Sequence, residues 1–183
     1  MEQRKRIHPH KFTLWVGIAS IIMMFAGFTS AYIVKRNQPN WVSFDLPKVF
    51  WYSTAVMVLS SVTIWQALKA FKQRAMLNYR RLVMVTFFLG VLFVVLQIIG
   101  FNELYQKGIT LQGNVSFSFL FIIVGLHALH VLGGIIVLLI LFLKAFSSSV
   151  RNYNTVPIEL ASTYWHFVDF LWVYLLIFLI LIR

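Results

Sequence analysis

Five stretches of this sequence are apolar for about the length that a helix needs to cross a membrane. A span takes roughly 20 mostly apolar residues to cover about 30 Å of hydrocarbon. Residues 12–34, 49–68, 82–101, 117–143 and 161–182 meet that requirement. The chain of 183 residues is 60% apolar and only 11% charged, with a mean hydropathy of +0.82. That balance excludes disorder and an ordinary soluble domain. The sequence therefore reads as one all-α membrane domain over residues 1–183, a bundle of five transmembrane helices. Lys35 and Arg36 close the first stretch, with turn-forming residues 37–40 after them. Pro47 stands where a helix can start but not continue. No charged region with a short apolar core and a small-residue cleavage site is visible, so His8-Pro9-His10 reads as a cytoplasmic lead-in.

Sixteen Lys and Arg against five Asp and Glu give a formal charge of +11. Basic residues gather on the inner side of membrane proteins. The N-terminus (Arg4, Lys5, Arg6, Lys11), the second loop (Lys69, Lys72, Arg74, Arg80, Arg81) and the fourth loop (Lys144, Arg151) hold eleven of them. Lys35, Arg36, Lys48, Lys107 and Arg183 make five on the other side. The N-terminus is expected inside and the C-terminus outside, and the charge reads as topology and lipid attraction rather than nucleic-acid binding. The absence of cysteine excludes disulfides, thiolate catalysis and cysteine-ligated clusters. Loops of about 10 to 17 residues leave no room for a soluble domain. Five spans without a repeat weigh against an inverted-repeat transporter.

Ionisable groups at membrane depth are costly and point to function. His127 and His130 are spaced i, i+3 on the fourth span. Glu159, His166 and Asp169 share a face of the fifth. Such residues suit a metal site for zinc, iron or copper, an interhelical hydrogen-bond network or control of protonation. Along the axis, at about 1.5 Å per residue, the two histidines of the fourth span lie roughly 10 Å deeper than His166 and Asp169. A structural network is accordingly preferred to a compact four-ligand site. Small residues (Ala19, Ser20, Gly27, Ala31) suit close helix approach on the first span, as Gly133 and Gly134 do on the fourth. Trp41, Trp51, Tyr52, Tyr105 and Tyr164 are candidates for an interfacial belt, and Asn114-Val115-Ser116 matches a glycosylation acceptor.

The same residues carry a resemblance. Gly125-Leu126-His127-Ala128-Leu129-His130-Val131-Leu132-Gly133-Gly134, then Glu159 seven positions before His166 in Tyr164-Trp165-His166-Phe167-Val168-Asp169 with Trp172 beyond, resembles subunit III of the haem–copper respiratory oxidases, the cytochrome c oxidase type. Matching residues on the first span (Trp15, Ala19, Ser20, Met23, Phe25, Gly27, Tyr32) and the third (Gly90, Phe93, Gln97) extend the likeness over nearly the whole chain. Five spans are similar to the short bacterial form, which lacks two helices of the seven-helix version.

The resemblance implies a non-redox subunit of a proton-pumping terminal oxidase that reduces O2 to water, in the bacterial cytoplasmic (inner) membrane. It implies no cofactor, metal or catalytic residue in this chain, with haem and copper in partner subunits and structural phospholipids on this one. The partners implied are subunit I directly, subunit II, a larger respiratory supercomplex and membrane lipids, with no nucleic acid. His127, His130, Glu159, His166 and Asp169 are expected to form a polar network joining spans four and five, and the role to be assembly and stabilisation of the catalytic subunit. Subunit III of a quinol oxidase is the first alternative. A nitric-oxide-reductase accessory protein and a stand-alone metal enzyme built on the His/acid cluster follow. Two family acids are missing: Ile21 stands at the one linked to carbodiimide reactivity and proton uptake, and Gly100 at another, three residues after Gln97.

Overall fold

The computed structural model describes residues 9–37, 41–42, 46–111, 113–146 and 155–182. Arg4, Lys5, Arg6, Arg151 and Arg183 of the charge count, His8, and residues 38–40 of the first turn lie outside them. Five helices follow in order: α1 (Pro9–Arg36), α2 (Val49–Lys72), α3 (Met76–Gln106), α4 (Val115–Phe146) and α5 (Val156–Leu181). All five are long and apolar enough to cross a membrane. The shortest, α2 with 24 residues, extends about 36 Å.

Helices α1, α3 and α4 run beyond both ends of their apolar stretches, and α2 and α5 beyond one. Hydropathy marks only the hydrocarbon depth, while the helix continues until the chain must reverse. Basic side chains near helix ends reach the surface along their own stems. The second loop shrinks most, to Gln73-Arg74-Ala75. It is closed by Arg74 N–H to Phe71 O and Ala75 N–H to Ala70 O, both 3.0 Å, with Arg74 in the left-handed region at φ 59°. This is the Schellman geometry. The end of α3 repeats it with Gly108 at φ 76°.

The α5 helix is the axis of the bundle. It packs on α1, α2 and α4, while α3 bridges α2 and α4 and α1 touches α4 and α5. Half of its span window is buried against 17% for α1. Trp165 and Trp172 are the largest side chains in the core. Pro157 at its first turn needs no N–H partner there. The expected small-residue contact of α1 is not made: a Cβ on Gly27 would meet nothing within 4 Å. The belt expectation divides. Trp51, Tyr52 and Tyr105 are exposed, whereas Tyr164 points into the bundle and donates to the His130 carbonyl at 3.0 Å.

Candidate functional site

Trp165 sets the geometry of the site. On α4 and α3, Gly134 and Gly90 leave room for its ring: a Cβ would stand 2.9 Å from it at Gly134 and 2.8 Å at Gly90. Its Nε1 donates to Ser60 Oγ of α2 at 2.9 Å. One indole thus touches three helices. Trp172, two turns on, donates from Nε1 to Thr54 Oγ1 at 2.9 Å. Its ring lies 5.0 Å from His127, near-parallel, and edge-on to Phe93 and Phe50.

The receiving groups are a row of hydroxyls on α2. Ser53 and Thr54 recur seven residues on as Ser60 and Ser61, with Thr63 beyond them, a spacing close to that of Trp165 and Trp172 on the antiparallel α5. Gln97 Nε2 of α3 donates to Ser53 Oγ at 3.1 Å, Thr63 and Thr86 share a hydrogen bond of 2.8 Å, and Ser61 Oγ pairs with His166 Nδ1. Most of these hydroxyls also donate to a carbonyl of their own helix, as Ser53 does to Phe50 and Ser60 to Met57. Ser53, Thr54 and Ser60 therefore each satisfy a backbone acceptor and an incoming N–H in an environment where an unmet polar group costs about 1–3 kcal/mol. The sequence reading missed this row. Its signal is the spacing, since each Ser or Thr alone is an ordinary helix residue.

The five candidate residues are placed in three regions. None of the hydrogen bonds described for them joins two of the five. Glu159, at the start of α5, accepts from Lys11 of α1 at 2.8 Å and lies 3.3 Å from Lys72 of α2. His166 binds α2 through Ser61. His130 Nδ1 contacts the Leu126 carbonyl at 2.7 Å, with its ring edge-on to Phe25. His127 is fully buried between Phe93 and Trp172, and neither ring nitrogen has a partner. Asp169 is buried beside Ser61 of α2, which pairs with His166, and neither of its oxygens is in a well-formed hydrogen bond. Glu159, His166 and Asp169 do share a face, but stacked: ten residues separate the first from the last, about 15 Å. The polar ties of α5 consequently run mainly to α2 and α1 rather than to α4. No group of three or more His, Asp or Glu among the described residues is close enough to hold a metal.

The positions of the two absent family acids are packed. Ile21 is half-buried against the core. A Cβ on Gly100 would lie 2.6 Å from the Phe50 ring.

Comparison with known proteins finds similarity along nearly all of this chain. The profile of the family described as cytochrome c oxidase subunit III matches residues 10–182. A probable cytochrome c oxidase subunit 3 of Nocardia farcinica is 30% identical over 164 residues, 86% of this chain and 80% of that protein. The cytochrome bo(3) ubiquinol oxidase subunit 3 of Buchnera aphidicola is 29% identical over 168 residues, 88% of each chain. The cytochrome c oxidase subunit 3 of Bacillus sp. strain PS3 is 27% identical over 166 residues, 88% of this chain and 80% of the other. With the profile running nearly end to end, the chain belongs to the cytochrome c oxidase subunit III family.

Proposed function

We propose that this chain is the non-redox subunit III of a cytochrome c-oxidising terminal oxidase, seated directly on subunit I, and that it holds the catalytic subunit in working form through repeated turnover. The carrying observation is the use made of the family motif: Trp165, His166 and Trp172 are spent on ties between helices, and Tyr164 on the α4 backbone. In this reading haem and copper chemistry belongs to partner subunits, with structural phospholipids on this one. The polar network acts as a brace of α5 against α2 and α1, with His127 as its unpartnered member and Asp169 beside Ser61.

An inside N-terminus and outside C-terminus in the bacterial inner membrane fit the charge distribution. Glu159 draws the start of α1 and the end of α2 to one end of the bundle, and Arg80 lies 5.6 Å from Phe146 at the end of α4. That end gathers Lys11, Lys69, Lys72, Arg80, Arg81 and Lys144. A quinol-oxidising complex is the second reading, favoured by the similarity to the bo(3) type.

The test is purification of the complex through a tag on this chain, with wild type, His166→Ala and Asp169→Ala compared. The variants should show the wild-type haem spectrum and initial rate per haem but a shorter catalytic lifetime or a lower yield of intact complex. Unchanged assembly, lipid content and lifetime in both would refute the brace. Rates with reduced cytochrome c and with ubiquinol assign the donor.

A further inference from the structure

The α2–α3 turn concentrates positive charge. Lys69, Lys72, Arg74, Arg80 and Arg81 fall within residues 69–81, which contain no acid. Lys72 is directed to Glu159, Arg80 lies over Phe146, and Lys69 Nζ is 5.8 Å from the Trp65 ring centre. Among the described residues no carboxylate pairs with Lys69 or Arg81. Glu103 is taken by Lys107, Glu159 by Lys11 and Lys72, and Asp169 is inside the bundle.

Between the two helices lies a groove of about 300 Å³, the lower end of the range for small-ligand clefts. Gln66, Lys69 and Gln73, spaced i, i+3 and i+7, line one wall. Asn78 and Arg81, spaced i, i+3, line the other, and Ala70 contributes to the apolar part. Two cations and three side-chain amides around one cleft, without an acid, suit an anion with several acceptor oxygens. The turn joins two helices long and apolar enough to cross a membrane, so a membrane that they span would bring the cleft near its surface.

We propose that this groove binds a phosphate group, with Lys69 and Arg81 supplying the countercharge and the amides of Gln66, Gln73 and Asn78 as neutral donors. The phosphate of an anionic phospholipid and free phosphate offer the same oxygens. The lipid source rests on the reading of the chain as a lipid-holding oxidase subunit.

The intact complex is compared as wild type, as the double variant Lys69→Gln/Arg81→Gln, and as Lys107→Gln, which removes a cation already paired with Glu103. Each is placed in nanodiscs of phosphatidylcholine with phosphatidylglycerol. Retained lipid is counted by native mass spectrometry, and inorganic phosphate is titrated as competitor and, separately, as ligand. The wild type and Lys107→Gln should retain phosphatidylglycerol selectively. The double variant should bind it about 30-fold more weakly, since each basic residue near an anionic surface contributes a factor of about five. Displacement by inorganic phosphate assigns the site to the soluble anion, and resistance to it assigns the site to the lipid. The groove proposal is overturned if the double variant binds both phosphatidylglycerol and phosphate as the wild type does. A wild-type complex that retains no lipid of any class refutes the lipid-holding reading instead, and the phosphate titration still tests the groove.

Discussion

Replacing Gly134 by alanine tests the seat of α5. The new Cβ would stand 2.9 Å from two ring carbons of Trp165 and 3.3 Å from the Tyr164 ring, closer than carbon atoms pack. The indole has little freedom to withdraw. Gly90 adjoins the neighbouring edge of the same ring, and Nε1 is tied to Ser60. Overpacking of this kind costs about 1–3 kcal/mol, and a ring that swings away also loses a hydrogen bond of about 0.5–1.5 kcal/mol. Against this, exchange of glycine for alanine inside a helix gains about 0.5–1 kcal/mol. The net expectation is a loss of about 1–3 kcal/mol. At roughly 2–4 °C per kcal/mol for a chain of this size, Tm falls by about 2 to 12 °C. Gly27→Ala is the internal control, because its Cβ meets nothing within 4 Å; its Tm should hold or rise slightly. Thermal unfolding of the purified protein in one detergent measures both. In a Trp165→Leu background the penalty at Gly134 should largely vanish, since neighbours that collide show non-additive energies. Equal Tm values for the two alanine variants, or a penalty that persists without the indole, would refute the packing argument.

Three further perturbations read other parts of the brace. Trp172→Phe keeps an aromatic ring beside His127 but removes the donor to Thr54, and should cost about 0.5–1.5 kcal/mol in thermal or denaturant unfolding. Adding Thr54→Val to it should cost little more, whereas additive losses would show that the bond is not formed. Glu159→Gln loosens the ends of α1 and α2; the partners are partly exposed, so the loss is about 0.2–1 kcal/mol per pair and should shrink as salt is raised. A loss independent of salt would count against the ion pairs. Arg74→Gly relieves a left-handed non-glycine residue and should raise stability by about 0.5–1 kcal/mol, seen as a higher Tm; a fall would mean that the Arg74 side chain contributes more than its backbone strain costs.

How far the sequence discloses this architecture depends on which physical quantity each feature obeys. Burial in hydrocarbon depends on composition over some twenty residues, so all five helices were legible from apolar length. Helix ends were less so, because Lys72 and Gln106 continue helices beyond the apolar stretch. The seats of Trp165 were half legible. Gly134 drew notice as a small residue, but nothing in one sequence pairs it with Gly90 or with an indole on a third helix. Gly27 is just as small and packs on nothing. The hydroxyl row of α2 was illegible one residue at a time, since Ser and Thr in such helices commonly bond their own backbone carbonyls, as Ser60 does to Met57. Only their match in spacing to two tryptophans on an antiparallel helix reveals them. The acids and histidines were found by type, but their partners were not. Spacing tells that Glu159 and Asp169 share a face about 15 Å apart along the axis, but not that Glu159 meets Lys11 of α1 and Lys72 of α2.

Gly100 shows what such packing does to inherited chemistry. The position where the family resemblance places an acid now adjoins the Phe50 ring, which would lie 2.6 Å from any Cβ there. Phe50 is fully buried, edge-on to Trp172 and Phe101. It therefore belongs to the same aromatic cluster that braces α5. Restoring a carboxyl at this site demands displacement of a ring that supports Trp172, so an acid at 100 and the present seat of Phe50 exclude each other. The missing charge is thus tied to the aromatic core that replaces it, and a carboxylate regained by substitution at 100 alone would disturb the brace before it could carry a proton.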